Sequence, residues 1–257
     1  MTTKVAIVGA SGRMGRLVSR LVEETDGFEI FARLGSAADL AELIGADVAV
    51  DVTTPAASPA IVDFAVAHGI HTLVGTSGWS SERIIALEQT VRAHGDAGVI
   101  IVPNFSLGSV LATAFATMAA RYFDSVEIIE AHQLSKIDSP SGTAVRTAEL
   151  IAAARAASAP VLAPHSDQRA RGQLVAGVPV HSLRLAGVVA RQDVIFGGTG
   201  EVLTLTHETL ASTAYEAGIR LALAAVRSAT GVVVGLDKLL DLPELAGPRP
   251  VAGSGAK

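Results

Sequence analysis

Val5-Ala6-Ile7-Val8-Gly9-Ala10-Ser11-Gly12-Arg13-Met14-Gly15 is a short apolar, β-branched run that breaks into a turn with glycines at 9, 12 and 15. Apolar residues at helical spacing follow over 14–24, so the order is strand, glycine-rich turn, helix. That order sets exposed backbone N–H groups and the positive end of a helix where the pyrophosphate of a dinucleotide can bind. The spacing is G-x-x-G-x-x-G rather than the commoner G-x-G-x-x-G, yet the physical demands are unchanged. Gly9 permits the tight turn, Gly12 lets the phosphates approach, and Gly15 lets helix and strand pack closely, with Ala10, Ser11, Arg13 and Met14 completing the cradle. The competing reading is a plain strand-to-helix turn with no ligand.

Outward from this unit, apolar runs alternate with helical patterns as far as Pro103. The runs are Val5-Ala6-Ile7-Val8, Phe28-Glu29-Ile30-Phe31-Ala32, Val48-Ala49-Val50-Asp51-Val52, His71-Thr72-Leu73-Val74 and Val99-Ile100-Ile101-Val102. Each is nearly all apolar or short, as expected of strands covered by helices on both faces. Helical spacing recurs over 59–68 and 81–93. Such βαβ units predict an α/β fold with a Rossmann-like, doubly wound parallel sheet.

The pattern changes after Asn104. A small-residue helix over 107–122 precedes an alternating strand, and an Ala-rich helix over 143–157 stops before Pro160. Runs over 180–186, 190–196 and 201–207, joined by Gly187 and by Gly197-Gly198-Thr199-Gly200, predict a second α+β domain on a mostly antiparallel sheet. An amphipathic helix over 215–229 and the segment Gly231-Val232-Val233-Val234-Gly235-Leu236 are expected to return to the first domain. The expected division is 1–106 plus 213–245 for dinucleotide binding, 107–212 for substrate binding and oligomerisation, and 246–257 as a disordered tail without periodicity.

With 49% hydrophobic residues among 257, the chain holds enough apolar material for a core without staples. Its net charge of −5, with no block of like charge, lacks the basic footprint that nucleic acid or an anionic membrane requires, so a small-molecule partner is expected. Absence of cysteine excludes disulfides and thiolate metal sites, and no metal is expected. The longest apolar stretch, 107–123, is interrupted by Ser109, Thr113, Thr117 and Arg121 and falls short of a membrane span. A strand follows Met1-Thr2-Thr3-Lys4 at once, leaving no room for a signal peptide, and a cytoplasmic location is expected.

An acid at the end of the second strand would bind the adenosine ribose hydroxyls, whereas a cation there suits a 2′-phosphate. Here the strand ends Phe31-Ala32-Arg33-Leu34-Gly35-Ser36. Arg33 with Ser36 can contact a phosphate, or Arg33 is a solvated strand-end charge; NADPH is favoured, with NADH also accepted. The fourth and fifth strands end in Gly75-Thr76-Ser77-Gly78 and Val102-Pro103-Asn104-Phe105-Ser106, at the carboxyl edge where ligands of such sheets collect. Residues of this kind are also common turn formers.

Val126-Glu127-Ile128-Ile129-Glu130-Ala131-His132-Gln133-Leu134-Ser135-Lys136-Ile137-Asp138-Ser139-Pro140-Ser141-Gly142-Thr143-Ala144 carries a histidine, a lysine and a Ser-Gly-Thr helix start on one connection. Such a loop can hold an acid, a cation and an anion cradle together, although each part alone is ordinarily structural. The whole resembles the signature of the dihydrodipicolinate reductase family, Glu-x-His-His-x-x-Lys-x-Asp-x-Pro-Ser-Gly-Thr-Ala. Gly75-Thr76-Ser77-Gly78, Pro103-Asn104-Phe105-Ser106 and His181-Ser182-Leu183-Arg184 resemble further family segments, so the likeness runs to about Leu240.

The resemblance implies reduction of a cyclic imine dicarboxylate by NADPH or NADH on the route to diaminopimelate and lysine, in a homotetramer. It implies that His132 and Lys136 act in proton transfer. It further implies that Gly142 and Thr143, with Ser141, bind a substrate carboxylate, and that the segments ending the fourth and fifth strands lie against nicotinamide and substrate. Two departures stand out. Gln133 replaces a histidine that in relatives helps hold the substrate, and Ser212-Thr213-Ala214-Tyr215 stands where relatives often have Arg-x-x-Phe. A neutral amide carries no charge to a carboxylate. A reductase of the same fold acting on another cyclic imine, and a non-catalytic dinucleotide-binding sensor, are the alternatives.

Overall fold

The computed structural model describes residues 2–95, 97–156 and 160–240, and residues 241–245 of the expected cofactor unit, like the expected tail at 246–257, lie outside the described residues. The first half builds β1 (Thr3–Val8), α1 (Arg13–Glu24), β2 (Phe28–Leu34), β3 (Val48–Asp51), α2 (Ser58–Ala67), β4 (His71–Val74), α3 (Ser81–His94) and β5 (Val99–Ile101). Every residue of β3 and β5 is buried, because helices cover both faces of the central strands. Helix α1 buries Leu17, Val18, Leu21 and Val22, two adjacent pairs one turn apart on a single face, and each such side chain contributes about 1.5–3 kcal/mol. Its ladder starts at Gly12, and Ser80, Ser106 and Ser141 cap later helices with their hydroxyls.

The second half follows as α4 (Leu107–Ala119), β6 (Ser125–His132), α5 (Gly142–Ala154), β7 (Gln173–Val175), β8 (Val178–Arg184), β9 (Ala190–Gly198) and β10 (Glu201–Thr209). Then α6 (Glu216–Val226) and β11 (Val232–Val234) return to the first sheet, whose order is β11-β5-β4-β3-β1-β2 with all pairings parallel. Ile219, Leu223, Val226 and Leu236 join the core formed by β1 and α1. The chain leaves β1 in one direction and β3 in the other, so the crevice for a ligand opens between their carboxyl ends.

β2 differs from expectation. It is the edge strand, and Glu29, Phe31 and Arg33 are exposed, alternating with half-buried neighbours. Its apolar look came from Phe31, which is 40% exposed beneath the Lys4 ammonium.

The second sheet has the order β10-β9-β6-β8-β7. Three of its four pairings are antiparallel, but β8 pairs with β6 in parallel. The segments on either side of Gly187 are therefore not a hairpin. β6 lies between them, and the Leu185 N–H reaches the His132 carbonyl at 2.9 Å, extending the β6–β8 ladder as the chain crosses the end of β6. The register stacks the inner face in rows. Val126, Ile128, Val180, Val194 and Phe196 fill the deep rows with the buried face of α5. The next row is polar, with Ser182, Glu130, Gln192 and His207 abreast, and His132 lies one row further, beside Arg184 and Ala190.

Candidate active site

The glycine turn occupies the crevice between β1 and β3. Gly9 has φ +86°, and a side chain there would also meet the Val52 carbonyl oxygen at 2.7 Å. At Gly15 a Cβ would lie 2.1 Å from the Gly9 oxygen, which is why helix and turn pack so closely. The Gly12 N–H donates to the Gly9 carbonyl at 3.0 Å, and the Arg13 and Met14 amides at the start of α1 have no acceptor among the described residues. No acidic side chain stands in the first turn of α1. These free donors at a helix N-terminus fit a pyrophosphate.

β2 supplies the next wall. The Leu34 carbonyl accepts from the Gly9 and Ala10 amides at 2.9 and 3.2 Å, so Gly35 follows directly beside the turn. Gly35 is exposed, and among the described residues nothing lies within 4 Å of where its Cβ would be. Arg33, by contrast, is ion-paired with Glu23 on α1. Both partners are exposed, as a solvated strand-end charge would be, and Ser36 follows at the same corner.

Beside the turn, the fully buried Asp51 carboxylate accepts from the Thr53 amide at 3.0 Å, the Thr53 hydroxyl at 2.5 Å and Ser58. A buried carboxylate without such donors would be costly, and these bonds lock the loop after β3. Thr76 is part of the same lock: its buried hydroxyl accepts from the Thr53 amide at 2.9 Å, while Ser77 is exposed. A Cβ on Gly75 would strike the Phe105 ring at 2.7 Å. Val102 is buried and Pro103 exposed, where β5 opens into its loop.

Asn104 joins the two halves. Its amide nitrogen donates to Ser109 at 3.0 Å and to the Thr143 hydroxyl at 3.4 Å, and its oxygen accepts the Ser106 N–H at 2.9 Å. A small polar cavity lies here, lined by Asn104, Thr143, Gln192, His207, Thr209 and Tyr215 among others. His207 meets the Ser106 hydroxyl at 3.1 Å, and burial lowers its pKa.

The signature loop is organised from below by two residues to which the sequence assigned no role. Glu130 is fully buried, and its carboxylate accepts from the Arg184 guanidinium at 3.0–3.1 Å, the Ser141 amide at 3.2 Å and His132 Nδ1 at 2.6 Å. Burial pushes its pKa up, but hydrogen bonds from Arg184, then Ser182 and His132, outweigh this and hold it below the ordinary value. Arg184 also binds the carbonyls of Lys136 at 3.3 Å and Asp138 at 2.6 Å. For Glu130 the local signal was alternation along β6, which puts residues 130 and 132 on the same face, and Arg184 stood in a family-like segment.

Lys136 Nζ donates to both oxygens of Asp138, at 2.7 and 2.8 Å, and this lysine holds the Asp138 carboxyl below its usual range. Gln133 is exposed, and its side chain has no hydrogen-bond partner among the described residues. The buried Ser141 hydroxyl accepts the Ala144 N–H at 3.2 Å, and the Ser141 carbonyl accepts that of Val145 at 3.0 Å. The donors at the start of α5 without an acceptor among the described residues are therefore the Gly142 and Thr143 amides, and the Ser141 hydroxyl caps the helix as acceptor while keeping its own O–H. Among the described residues no group of His, Asp or Glu is arranged to hold a metal, and no helix is long and apolar enough to cross a membrane.

The family described as "Dihydrodipicolinate reductase, N-terminus" matches residues 3–105, and "Dihydrodipicolinate reductase, C-terminus" matches 108–240. The 4-hydroxy-tetrahydrodipicolinate reductase of Clavibacter sepedonicus is 64% identical over 242 residues, covering 94% of this chain and 87% of the relative. That of Streptomyces griseus subsp. griseus is 45% identical, covering 93% and 98%. The solved structure of dipicolinate-bound dihydrodipicolinate reductase from Paenisporosarcina sp. TG-14 superposes with a TM-score of 0.77 at 30% identity, covering 93% of this chain and all of that one. With both family regions matched, and with the glycine turn, the Asn104 bridge and the signature loop all present, the chain belongs to the dihydrodipicolinate reductase family.

Proposed function

We propose that this protein reduces 4-hydroxy-tetrahydrodipicolinate to tetrahydrodipicolinate in diaminopimelate and lysine biosynthesis. The observation that carries the reading is the Asn104–Thr143 hydrogen bond, which sets the cofactor-side loop after β5 against the signature loop. NADH or NADPH, when bound, supplies the hydride. The turn at 9–14, with the strand-end segments at 75–77 and 102–105, holds and orients it. The Gly142 and Thr143 amides, at the positive end of α5, take a substrate carboxylate. Lys136 Nζ donates the proton that balances hydride addition, and His132 assists. Residues 1–106 with 213–245 carry the cofactor, and 107–212 the substrate.

The outer face of the second sheet, with Ile129, Leu183 and Ile195 around Glu127 and His181, is open in one chain, and Leu183 is 44% exposed. Covering that face suits the family's homotetramer, in the cytoplasm. An assay with freshly generated imine substrate, followed by nicotinamide absorbance, tests the activity. Efficient turnover is expected, and none with either cofactor, or a clear preference for another cyclic imine, would overturn the assignment.

Two predictions concern specificity. Gly35→Asp has open space for its side chain, and a carboxylate there binds the ribose diol and repels a 2′-phosphate. Two unit charges a few ångströms apart near a surface interact by about 1–4 kcal/mol, so preference should move toward NADH by about tenfold or more. Unchanged NADH/NADPH ratios of kcat/KM would place the discriminating contact elsewhere. At Gln133, an ionised donor would add about 1 kcal/mol to a carboxylate hydrogen bond. Gln133→His should lower KM for the dicarboxylate several-fold, most at mildly acidic pH. A KM that does not fall with acidification in the variant would remove residue 133 from the substrate contact.

A further inference from the structure

The polar row beneath the site has a chemical consequence. Burying the Glu130 carboxylate under a half-buried Arg184 is not a good way to gain stability, because the desolvation penalty of such a pair commonly cancels its attraction. The pair nevertheless sits in the register row beneath and beside His132, and its bonds run to the loop rather than to the core below.

We propose that Glu130 is a positioning residue for His132, whose Nδ1–H it accepts so that Nε2 is the nitrogen left for the reaction, with Arg184 fixing the Glu130 carboxylate. The inference rests on the assignment of His132 to proton transfer. A carboxylate only accepts hydrogen bonds, so a 2.6 Å contact to Nδ1 requires the proton on that nitrogen. Nε2 has no hydrogen-bond partner among the described residues. The Glu130 carboxylate has little freedom to turn away. Both its oxygens are bound by Arg184 Nη1, one of them also takes Nη2 and the Ser141 amide, and Arg184 is itself held by the Lys136, Asp138 and Leu183 carbonyls. The same guanidinium thus ties the imidazole orientation to the backbone that carries Lys136. A free imidazole would divide itself between tautomers and rotate about χ2, and either change would move the reactive nitrogen.

Nitrogen-15 spectra of histidine-labelled, ligand-free enzyme at alkaline pH read the tautomer directly, with His132 assigned by the resonance lost in His132→Asn. The wild type is expected to show the Nδ1–H form, and a predominant Nε2–H form would overturn the proposal whether or not any Glu130 variant folds. Glu130→Gln keeps the shape and removes the charge. Its His132 signal should shift toward a mixture, and kcat should fall by about 10- to 100-fold while KM for NADH stays within about twofold. A purely structural role would instead lower thermal stability and leave the tautomer and the turnover per folded molecule unchanged. If His132→Asn itself turns over at the wild-type rate, the proton-transfer assignment is what fails. If His132→Asn is slow but folded Glu130→Gln keeps wild-type kcat, the positioning role fails alone.

Discussion

Lys136→Ala is expected to lower turnover by a factor on the order of 10² or more while leaving the fold and cofactor affinity nearly unchanged. The side chain's partner is Asp138, whose carboxylate side chain is 62% exposed. An exposed ion pair contributes at most about 1 kcal/mol, so its loss does little to stability. The loop itself is anchored through main chain: Arg184 holds the carbonyls of residues 136 and 138, and alanine retains both. What disappears is the proton donor. Lys136→Arg sharpens the point, because a guanidinium keeps the charge and the bond to Asp138 yet does not release a proton near neutral pH. Both variants should therefore be slow. Wild-type turnover in the purified alanine variant, or full recovery in the arginine variant, would remove proton donation from Lys136.

How far the sequence revealed this site depended on whether the deciding contact was local. The turn at 9–15 was legible because each physical demand there, a positive φ at Gly9 or a backbone contact at Gly15, can be met only by glycine. The return of residues 231–236 to the first sheet was also legible, since Val232-Val233-Val234 is a buried-strand composition, and β11 pairs with β5. β7 was not. It is three residues long, and its turn to β8 uses Ala176 at φ 49° before Gly177, without the Asn-Gly or Asp-Gly pair that announces a hairpin. Turn signals around Gly187 correctly marked a chain reversal but could not name the strand that would fill the gap; β6 comes from some fifty residues earlier in the chain.

The same limit governed the charged residues. Arg33 could be read from its own strand either as a phosphate contact or as a solvated strand-end charge, and its exposed partner Glu23, on the preceding helix, was not visible there. Glu130 and Arg184 were both on view within family-like segments, but they are 54 residues apart, and nothing local says that they meet. Sequence alternation puts Glu130 on the face of His132; that the face is buried is a property of the assembled sheet.

Gly15→Ala tests the turn most severely. Alanine is the better helix former by about 1 kcal/mol, which on an open helix would stabilise. Here its Cβ would fall 2.1 Å from the Gly9 oxygen, 2.6 Å from the Ala10 Cα and 2.7 Å from the Ala10 carbonyl carbon. All three are main-chain atoms, so no flexible side chain can yield, and α1 must slide away from the turn. Overpacking of this kind costs about 1–3 kcal/mol or more, and with backbone on both sides the upper end applies, so a net loss near 2 kcal/mol is expected. For a chain of this size that is a fall in Tm of about 4–8 °C. The displaced helix start also carries the free Arg13 and Met14 amides, so NADH affinity should drop by about tenfold or more. Gly12→Ala separates the two effects. Its φ of −70° suits any residue and its Cβ would sit 3.2 Å from the Gly9 oxygen, a tight contact that a shift of a few tenths of an ångström relieves, so Tm should fall far less than in Gly15→Ala while the added methyl group obstructs the approach of phosphate and weakens binding. Should Gly15→Ala keep both Tm and NADH affinity at wild-type values, the contact between helix and turn is not what shapes the cofactor site.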